Sequence, residues 1–249
     1  AGQLRAFLTS RSMSRRQGDQ ISGRLDRRAL HRLNRPGMLP SKNVFERTVA
    51  GQSNNVAVMI MLDCSGSMVG SKLDMARKSL HIMGNALTGL ETLGVQWASY
   101  GFTTRRDGNV YNGHQSRTES LQHYQFKSFS DNWRRAEVGA RTYADIDTCC
   151  NCDSDSIRWA LAELLKVKAD RHILLVLSDG QPAFAGNQSG TTALKATIEG
   201  ARKMGIEVGS IGIQTDDPQA YYGEDTPVIH NVDELPKALL EQARNWFIK

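Results

Sequence analysis

The hydrophobic and polar positions of this chain form alternating blocks that are typical of strands and helices in turn. Seven apolar residues in succession, Val56 to Leu62, have the length and the Val and Ile content of a strand buried on both faces. Ile173 to Leu177 repeats that pattern, and further strands are predicted at Val95 to Phe102, Glu207 to Ile213 and Val228 to Val232. Strands of this kind indicate a parallel sheet.

Between these strands, apolar residues recur every three or four positions, as they do on the inner face of an amphipathic helix. The longest such stripe follows the first strand and ends before Gly94; its members are Leu73, Ala76, Leu80, Met83, Leu87 and Leu90. Further helices are predicted around Ile157 to Leu165, from Thr191 to Met204 and from Glu234 to Phe247. This alternation predicts an α/β fold with a doubly wound, mostly parallel sheet flanked by helices on both faces.

One stretch departs from the alternation. Thr103 to Gly113 contains Asp107-Gly108, a hairpin signal that predicts one short antiparallel edge strand. No periodicity is visible from His114 to Ser130, so that segment is predicted as a loop. A short helix is then predicted from Asn132 to Tyr143.

The first fifty residues differ from the rest in charge. Residues 1–50 contain eleven Lys and Arg against three Asp and Glu, whereas residues 51–249 contain 20 against 23, so the net charge of +5 comes from the amino-terminal segment. Pro36, Gly37 and Pro40 interrupt any regular element there. We predict a basic, largely irregular lead-in arm over residues 1–50 and one α/β domain over residues 51–249.

Oxygen-bearing side chains follow the first buried strand. Asp63, Ser65 and Ser67 have the spacing D-x-S-x-S, and the glycines between and after them favour a tight turn into the next helix. Magnesium prefers oxygen ligands and is commonly held by one or two carboxylates with neutral oxygens and water. The same residues are also typical of a turn in which an aspartate caps a helix, so the motif alone leaves both interpretations open.

The second buried strand also ends in an acid. Ser178, Asp179 and Gly180 follow Leu177 directly. In an open α/β sheet, ligands bind outside the carboxyl ends of the strands, where separate strand ends face one crevice. Asp63 and Asp179 are therefore expected to meet, and this favours the metal site.

These motifs resemble those of the von Willebrand factor A (VWA) domain, in which D-x-S-x-S after one hydrophobic strand and S-D-G-x-P after a later one belong to a metal-ion-dependent adhesion site. More specifically, the chain resembles the carboxyl-terminal domain of the CobT subunit of aerobic cobaltochelatase and its phage and bacterial relatives. It covers roughly Gly23 to Phe247, and the runs that carry it are Gly23 to Leu30, Leu62 to Met68, Gly101 to Arg105, Asn132 to Glu137 and Ile211 to Tyr222.

The resemblance implies a bound Mg²⁺, with other divalent ions left open. Its ligands would include Ser65 and Ser67, with Asp63 and Asp179 direct or through water. In the wider domain family a loop threonine completes the shell, and that position falls here at or near Asn151, with Asp153 two residues on. This departure replaces a hydroxyl by an amide oxygen or adds a carboxylate, and an added carboxylate makes the ion less electrophilic.

The resemblance also implies a partner, a ring-forming AAA+ ATPase of the cobaltochelatase small-subunit (CobS) or MoxR type, gripped through an acidic residue. A large chelatase subunit is a further partner in that context. The residues expected to meet the partner around the ion are Met68, Lys72, Arg134 and Arg135.

Two other functions are weighed against this interaction module. The chain has no G-x-x-x-x-G-K-[ST] loop to cradle phosphates and no histidine at a recognisable catalytic spacing, so we expect no catalysis by this chain alone and at most a non-ATPase role in a chelatase. Nucleic-acid binding through the arginines of the arm ranks third, because Phe7 is its one aromatic residue before position 45.

Cysteine usage and hydropathy bear on location. Three of the four cysteines, Cys149, Cys150 and Cys152, are bunched, which is a poor basis for disulfides, and no second C-x-x-C or histidine pair suits a zinc site; Cys64 follows the first strand. No apolar run approaches the ~20 residues of a membrane helix. We expect a cytoplasmic protein with no membrane partner, and the role of the cysteine cluster stays open.

Overall fold

The computed structural model describes residues 15–30, 43–49, 55–105, 120–136, 146, 148–180, 182 and 189–247. The chain divides into two compact units, one of residues 2–54 and the other of residues 55–249. Within the described residues, no helix is both long and apolar enough to cross a bilayer.

The smaller unit contains an antiparallel sheet where the sequence suggests an irregular arm. Strands β1 (Arg15–Gln20), β2 (Arg24–Leu25) and β3 (Phe45–Val49) pair in the order β1-β3-β2. The strands are rich in charged and polar residues and lack the alternation that marks a half-buried strand. Their pairing depends on backbone hydrogen bonds between segments distant in sequence, which periodicity does not reveal.

The larger unit is built on a six-stranded sheet that confirms the predicted fold class. Five neighbouring strands are parallel, and the strand order is β6-β5-β4-β7-β8-β9. Their bounds are β4 (Val56–Asp63), β5 (Val95–Arg105), β6 (Ser120–Lys127), β7 (Arg171–Ser178), β8 (Glu207–Ile213) and β9 (Val228–Ile229). Every residue of β4 is buried, as expected for a central strand covered on both faces.

The antiparallel edge strand comes from a segment predicted as loop. It is β6, which pairs with β5, whereas the predicted hairpin at Asp107-Gly108 lies outside the described residues. The side chains of β6 do not alternate cleanly: the polar residues Gln122 and His123 are adjacent, and Lys127 is buried beside Phe126. This irregular burial explains why the strand escapes a search for period two.

Long helices follow the strands as predicted, and a short one over Gln219–Tyr222 was not predicted. They are α1 (Ser71–Thr88), α2 (Asp153–Leu165), α3 (Ser189–Lys203), α4 (Gln219–Tyr222) and α5 (Leu235–Phe247). On one face of β4, Met59 and Met61 share a core cluster with Ile157 of α2 and Ile198 of α3. Ile60, on the opposite face of β4, is equally buried.

A polar network with a buried centre of Trp97, Trp133 and Lys127 lies against β5, in the half of the strand nearer its amino terminus. We call it the tryptophan cluster and define it as Trp97, Trp133, Lys127, Asn85 and Glu91. The two indoles lie 5.1 Å apart between ring centroids, and the Lys127 ammonium is 4.6 Å from the centroid of Trp97. Trp97 Nε1 donates to Glu91 Oε1 at 3.0 Å and Trp133 Nε1 to Asn85 Oδ1 at 3.0 Å. Lys127 Nζ donates to the carbonyl of Trp97 at 2.7 Å and to that of Ser128 at 3.1 Å.

The strand register places the candidate ligands at one edge of the sheet. Asp63, the last residue of β4, is opposite Phe102 of β5, and the preceding Leu62 is opposite Leu177 of β7. Because the strands are parallel, the turns after Asp63 and after Ser178 emerge side by side.

Candidate metal site

Asp63 is the central acceptor of the crevice at the carboxyl ends of β4 and β7. Its side chain is fully buried. Oδ1 accepts the amide of Ser65 at 2.8 Å, while Oδ2 accepts Ser178 Oγ at 2.7 Å and Asn151 Nδ2 at 3.4 Å. These donors come from three separate segments, so the orientation of the carboxylate is fixed by the fold rather than by one turn.

The two serines of the D-x-S-x-S motif link the strand ends. Ser65 precedes a 3-10 turn, Gly66–Met68, and its Oγ lies 3.0 Å from Ser67 Oγ. Ser67 in turn donates from Oγ to Asp179 Oδ1 at 2.9 Å. Ser65 is 2% exposed whereas Ser67 is exposed, so the pair runs from the floor of the crevice to its mouth.

Asp179 carries the second strand end into the site. It is 5% exposed, and Lys72 Nζ donates to its Oδ2 at 2.8 Å. The next residue, Gly180, has a φ of +95°, and a Cβ there would lie 2.4 Å from Cδ of Pro218. Only glycine satisfies both conditions, so the turn that presents Asp179 requires it.

The cysteine loop brings Asn151 and Asp153 to the same place. Its backbone is held by hydrogen bonds from Gly66 N to the Cys149 carbonyl at 2.7 Å and from Thr104 N to the Cys150 carbonyl at 2.8 Å. Asn151 is 1% exposed and Asp153, the first residue of α2, is 4% exposed. Among the described residues, Asp153 Oδ2 has no hydrogen-bond partner despite its burial.

Burial dominates the electrostatics of these acids. It raises the pKa of Asp63 to about 6, against the lowering effect of the hydrogen bonds from Ser178 and Ser65. Burial also raises the pKa of Asp153 well above its usual range, and the charges of Asp63 and Asp179 add to the effect. Without a cation, the carboxyl groups of Asp63 and Asp153 therefore keep their protons to higher pH than they would in water.

The donor set fits a hard divalent cation. Carboxylate, hydroxyl and amide oxygens converge, one buried carboxylate oxygen has no hydrogen-bond partner among the described residues, and neighbouring negative charges contribute to the raised pKa values of Asp63 and Asp153. In the part of the chain that the structure describes, no three His, Cys, Asp or Glu side chains form a metal cluster by themselves. An ion in this crevice would therefore depend on Ser65, Ser67 and water as well as on acids.

The residues predicted to contact a partner lie in different parts of the structure. Lys72 lies in the crevice, but Met68 is fully buried and presents no side chain to a contact surface. Arg134 and Arg135 are exposed, yet they follow Trp133, which packs on Trp97. Trp97 precedes the strand position opposite Asp63 by about 16 Å at the usual rise per residue, so the two arginines adjoin another part of the sheet.

Two residues of the site, Ser178 and Tyr222, were not predicted from the sequence to take part in it. Ser178, within the recognised S-D-G motif, orients Asp63 and also accepts the Gly180 amide at 2.9 Å. Tyr222, within the run that carries the resemblance, is 6% exposed, and its pKa is raised by burial and then by the charges of Asp153 and Asp63. Both residues lie in motifs that carry the resemblance, but no spacing rule links either of them to the predicted ligands.

The cysteines serve this loop through their backbone. Cys64 and Cys152 are buried, and the other two are partly buried. Besides Thr104 N, the Cys150 carbonyl accepts Thr103 Oγ1 at 3.2 Å and Thr104 Oγ1 at 3.0 Å. Their position in the loop thus contributes to holding Asn151 and Asp153.

A family model described as "Cobalamin biosynthesis protein CobT VWA domain" matches residues 44–248. Among solved structures, the chain is similar to the vWF domain of the type V pili tip protein Mfa5 from Porphyromonas gingivalis, with 12% identity, a TM-score of 0.56, and 80% of this chain and 98% of that one covered. It is also similar to the conserved hypothetical protein BatB from Bacteroides thetaiotaomicron, with 14% identity, a TM-score of 0.52, and 78% and 100% covered.

A third similar structure is the open conformation of the pilus adhesin SpaC from Lactobacillus rhamnosus GG, with 16% identity, a TM-score of 0.54 and 76% of this chain covered. The chain spans only 30% of that adhesin and 45% of the mussel byssus protein PTMP1, another structure of this fold. At these identities the structural likeness establishes the fold alone.

Proposed function

Since the chain belongs to the family of CobT VWA domains, we propose that it is a metal-dependent protein-interaction module, which uses a Mg²⁺ site at the sheet edge to engage an AAA+ ATPase. The ion would be held by Ser65 and Ser67, with Asp63, Asp179, Asn151 and Asp153 completing the site directly or through water. When bound, the ion would supply an electrophilic position for a carboxylate from outside the chain.

The observation that supports this proposal most strongly is that three acids are buried together and one of their oxygens has no hydrogen-bond partner among the described residues. Asp63, Asp153 and Asp179 are each at most 5% exposed, and Asp153 Oδ2 has no hydrogen-bond partner among the described residues. Burying an ionised carboxylate with an unbonded oxygen is costly, and folded proteins rarely retain such a group without a role. A divalent cation removes that cost.

The exposure gradient of the serines supports binding of a partner rather than a closed structural ion. Ser65 lies at the floor, while Ser67 and the 28% exposed side chain of Lys72 mark the side that reaches solvent. A ligand from another protein can approach from that side. An acidic residue of an AAA+ ATPase of the CobS or MoxR type has the required chemistry.

The direct test is capture of a purified AAA+ companion by the immobilised chain. We expect capture in Mg²⁺, release by EDTA, and at least tenfold weaker capture by Ser65→Ala and Ser67→Ala. Ser130→Ala, at an exposed serine of a different turn, is the matched control and should capture like the wild type. Capture that ignores both EDTA and the two crevice substitutions would show that the partner docks elsewhere.

Whether the module acts in cobalt insertion or apart from cobalamin is a separate question. If the module acts in cobalt insertion, the chain and its AAA+ companion should insert cobalt into a corrin ring only after a large chelatase subunit is added. A stand-alone module would bind the AAA+ companion but never support insertion in that reconstitution.

A second candidate function belongs to the basic amino-terminal segment. In its described part, Arg16, Arg24, Arg27, Arg28 and Arg47 are all exposed, which favours contact with an acidic surface such as nucleic acid. Binding to heparin and to duplex DNA should then weaken steeply with salt and disappear on removal of residues 1–22. Absence of retention at low salt would exclude it.

A further inference from the structure

We propose that Lys72 tunes the metal site for an outside carboxylate by offsetting the charge that Asp153 adds to it. This inference rests on the proposed function, because it presumes a divalent ion in the crevice. It makes Lys72 a positioning residue rather than one more surface contact: its charge decides what the ion can still bind.

The charges of the crevice motivate the proposal. Asp63, Asp153 and Asp179 are 0%, 4% and 5% exposed, so water screens them poorly. A divalent ion compensates two of these three negative charges, and the Lys72 ammonium compensates the third. A partner carboxylate then approaches a neutral site, whereas without Lys72 it would meet a net negative one and be repelled.

The contacts of Lys72 place its charge where it can act in this way. Lys72 Nζ bonds Asp179 Oδ2 at 2.8 Å while Ser67 Oγ takes Oδ1 at 2.9 Å, so donors of the chain itself engage both oxygens of Asp179. The Lys72 side chain is 28% exposed, against 4% for that of Asp179. The ammonium thus lies against Asp179, on a side chain that reaches the solvent side from which a partner would come.

This arrangement predicts effects of opposite sign on two binding steps. Removing the ammonium makes the crevice more negative, so the divalent ion should bind more tightly. The same change makes the loaded site anionic, so a carboxylate should bind to it more weakly. A lysine that merely supports the fold would weaken both steps or neither.

The experiment measures the two steps separately on the full chain. Magnesium affinity is measured by calorimetry, and carboxylate binding by the paramagnetic broadening that Mn²⁺-loaded protein causes in the signal of acetate, which serves as the probe. For Lys72→Met we expect about tenfold tighter magnesium binding and about tenfold weaker acetate binding, as one unit charge a few ångströms away implies at a partly solvated site. Lys72→Arg keeps the charge and should stay within about threefold of wild type on both.

A second variant keeps the test decisive if Lys72→Met folds poorly. Asp153→Asn removes the acid that Lys72 offsets, so it should weaken magnesium and strengthen acetate binding. In combination, it should restore acetate binding to Lys72→Met. Lys78→Met, at an exposed lysine of the same helix α1, is the matched control and should change neither.

The outcomes separate this inference from the function on which it rests. If the wild type binds no magnesium, the proposed metal site fails and this inference fails with it. If magnesium binds but Lys72→Met leaves acetate binding unchanged, or weakens both steps, only the role of Lys72 is overturned. Tighter magnesium with weaker acetate, reversed by Asp153→Asn, is the result that supports it.

Discussion

The candidate metal crevice and the tryptophan cluster both bury polar groups, but only the cluster satisfies the hydrogen bonds of those groups. In the cluster, Lys127 is 1% exposed and its ammonium bonds two carbonyls, and each indole N–H has an acceptor. In the crevice, Lys72 pairs with Asp179, one of three buried acids, and Asp153 Oδ2 has no hydrogen-bond partner among the described residues. A satisfied network specifies a fold, whereas an unbalanced one points to a missing ligand.

The largest test of this contrast is Trp133→Ala in the cluster. The ring is 2% exposed and lies so close to helix α1 that a Cβ on Gly84 would be 2.4 Å from its Cε2. Truncation should lower the free energy of unfolding by about 3–5 kcal/mol, through lost packing and an open cavity. Urea titration should give the same loss in Mg²⁺ and in EDTA; a loss that Mg²⁺ reverses would mean that the two regions are not independent.

The second test uses pH and concerns the crevice. Because burial raises the pKa of Asp63 to about 6, the folded state binds its proton more tightly than the unfolded chain does. In EDTA, the stabilisation that comes from this proton is fully present below about pH 4 and is lost as the pH rises through about 6. The loss lowers the free energy of unfolding by about 3 kcal/mol from Asp63 alone.

Thermal unfolding in EDTA should therefore show stability falling between about pH 4 and pH 7, and Mg²⁺ should reduce the fall. Asp63→Asn, which has no proton to lose, should remove this share of the pH dependence. An unchanged profile in that variant would assign the effect to another group.

The smallest effect is expected from Asp153→Asn at neutral pH. Replacing an acid whose Oδ2 lacks a partner removes the cost of burying its charge, so the protein in EDTA should gain about 1–3 kcal/mol. The variant should also lose part of the stabilisation by Mg²⁺ seen in the wild type. Asp155→Asn, where the side chain is 36% exposed, is the control, and unfolding in both buffers checks the pair.

The sequence was sufficient to predict the location of side chains that directly follow a strand end. Asp63 and Asp179 each end a continuous apolar run, and parallel pairing of β4 with β7 brings such ends together without knowledge of the side chains. Ser65 and Ser67 follow from the turn that leaves β4. These positions needed only local pattern and one topological rule.

The sequence was not sufficient where position depends on contacts distant in sequence. Strand β6 carries a buried lysine that is tolerated because Trp97 of β5 offers both a ring and a carbonyl. Met68 is part of a polar turn, yet it packs inward and is fully buried. Arg134 and Arg135 follow the anchor Trp133, whose place on β5 no periodicity specifies.

The contact between Gly180 and Pro218 also limits how this protein can evolve. A side chain at position 180 would run into Pro218 and Asp217, so the turn after β7 and the segment before α4 cannot drift independently. A substitution in either segment that changes this contact is tolerated only with a compensating change in the other segment. The two segments should therefore be inherited together, and recombination that separates them should yield chains that selection removes even when every proposed metal ligand is retained.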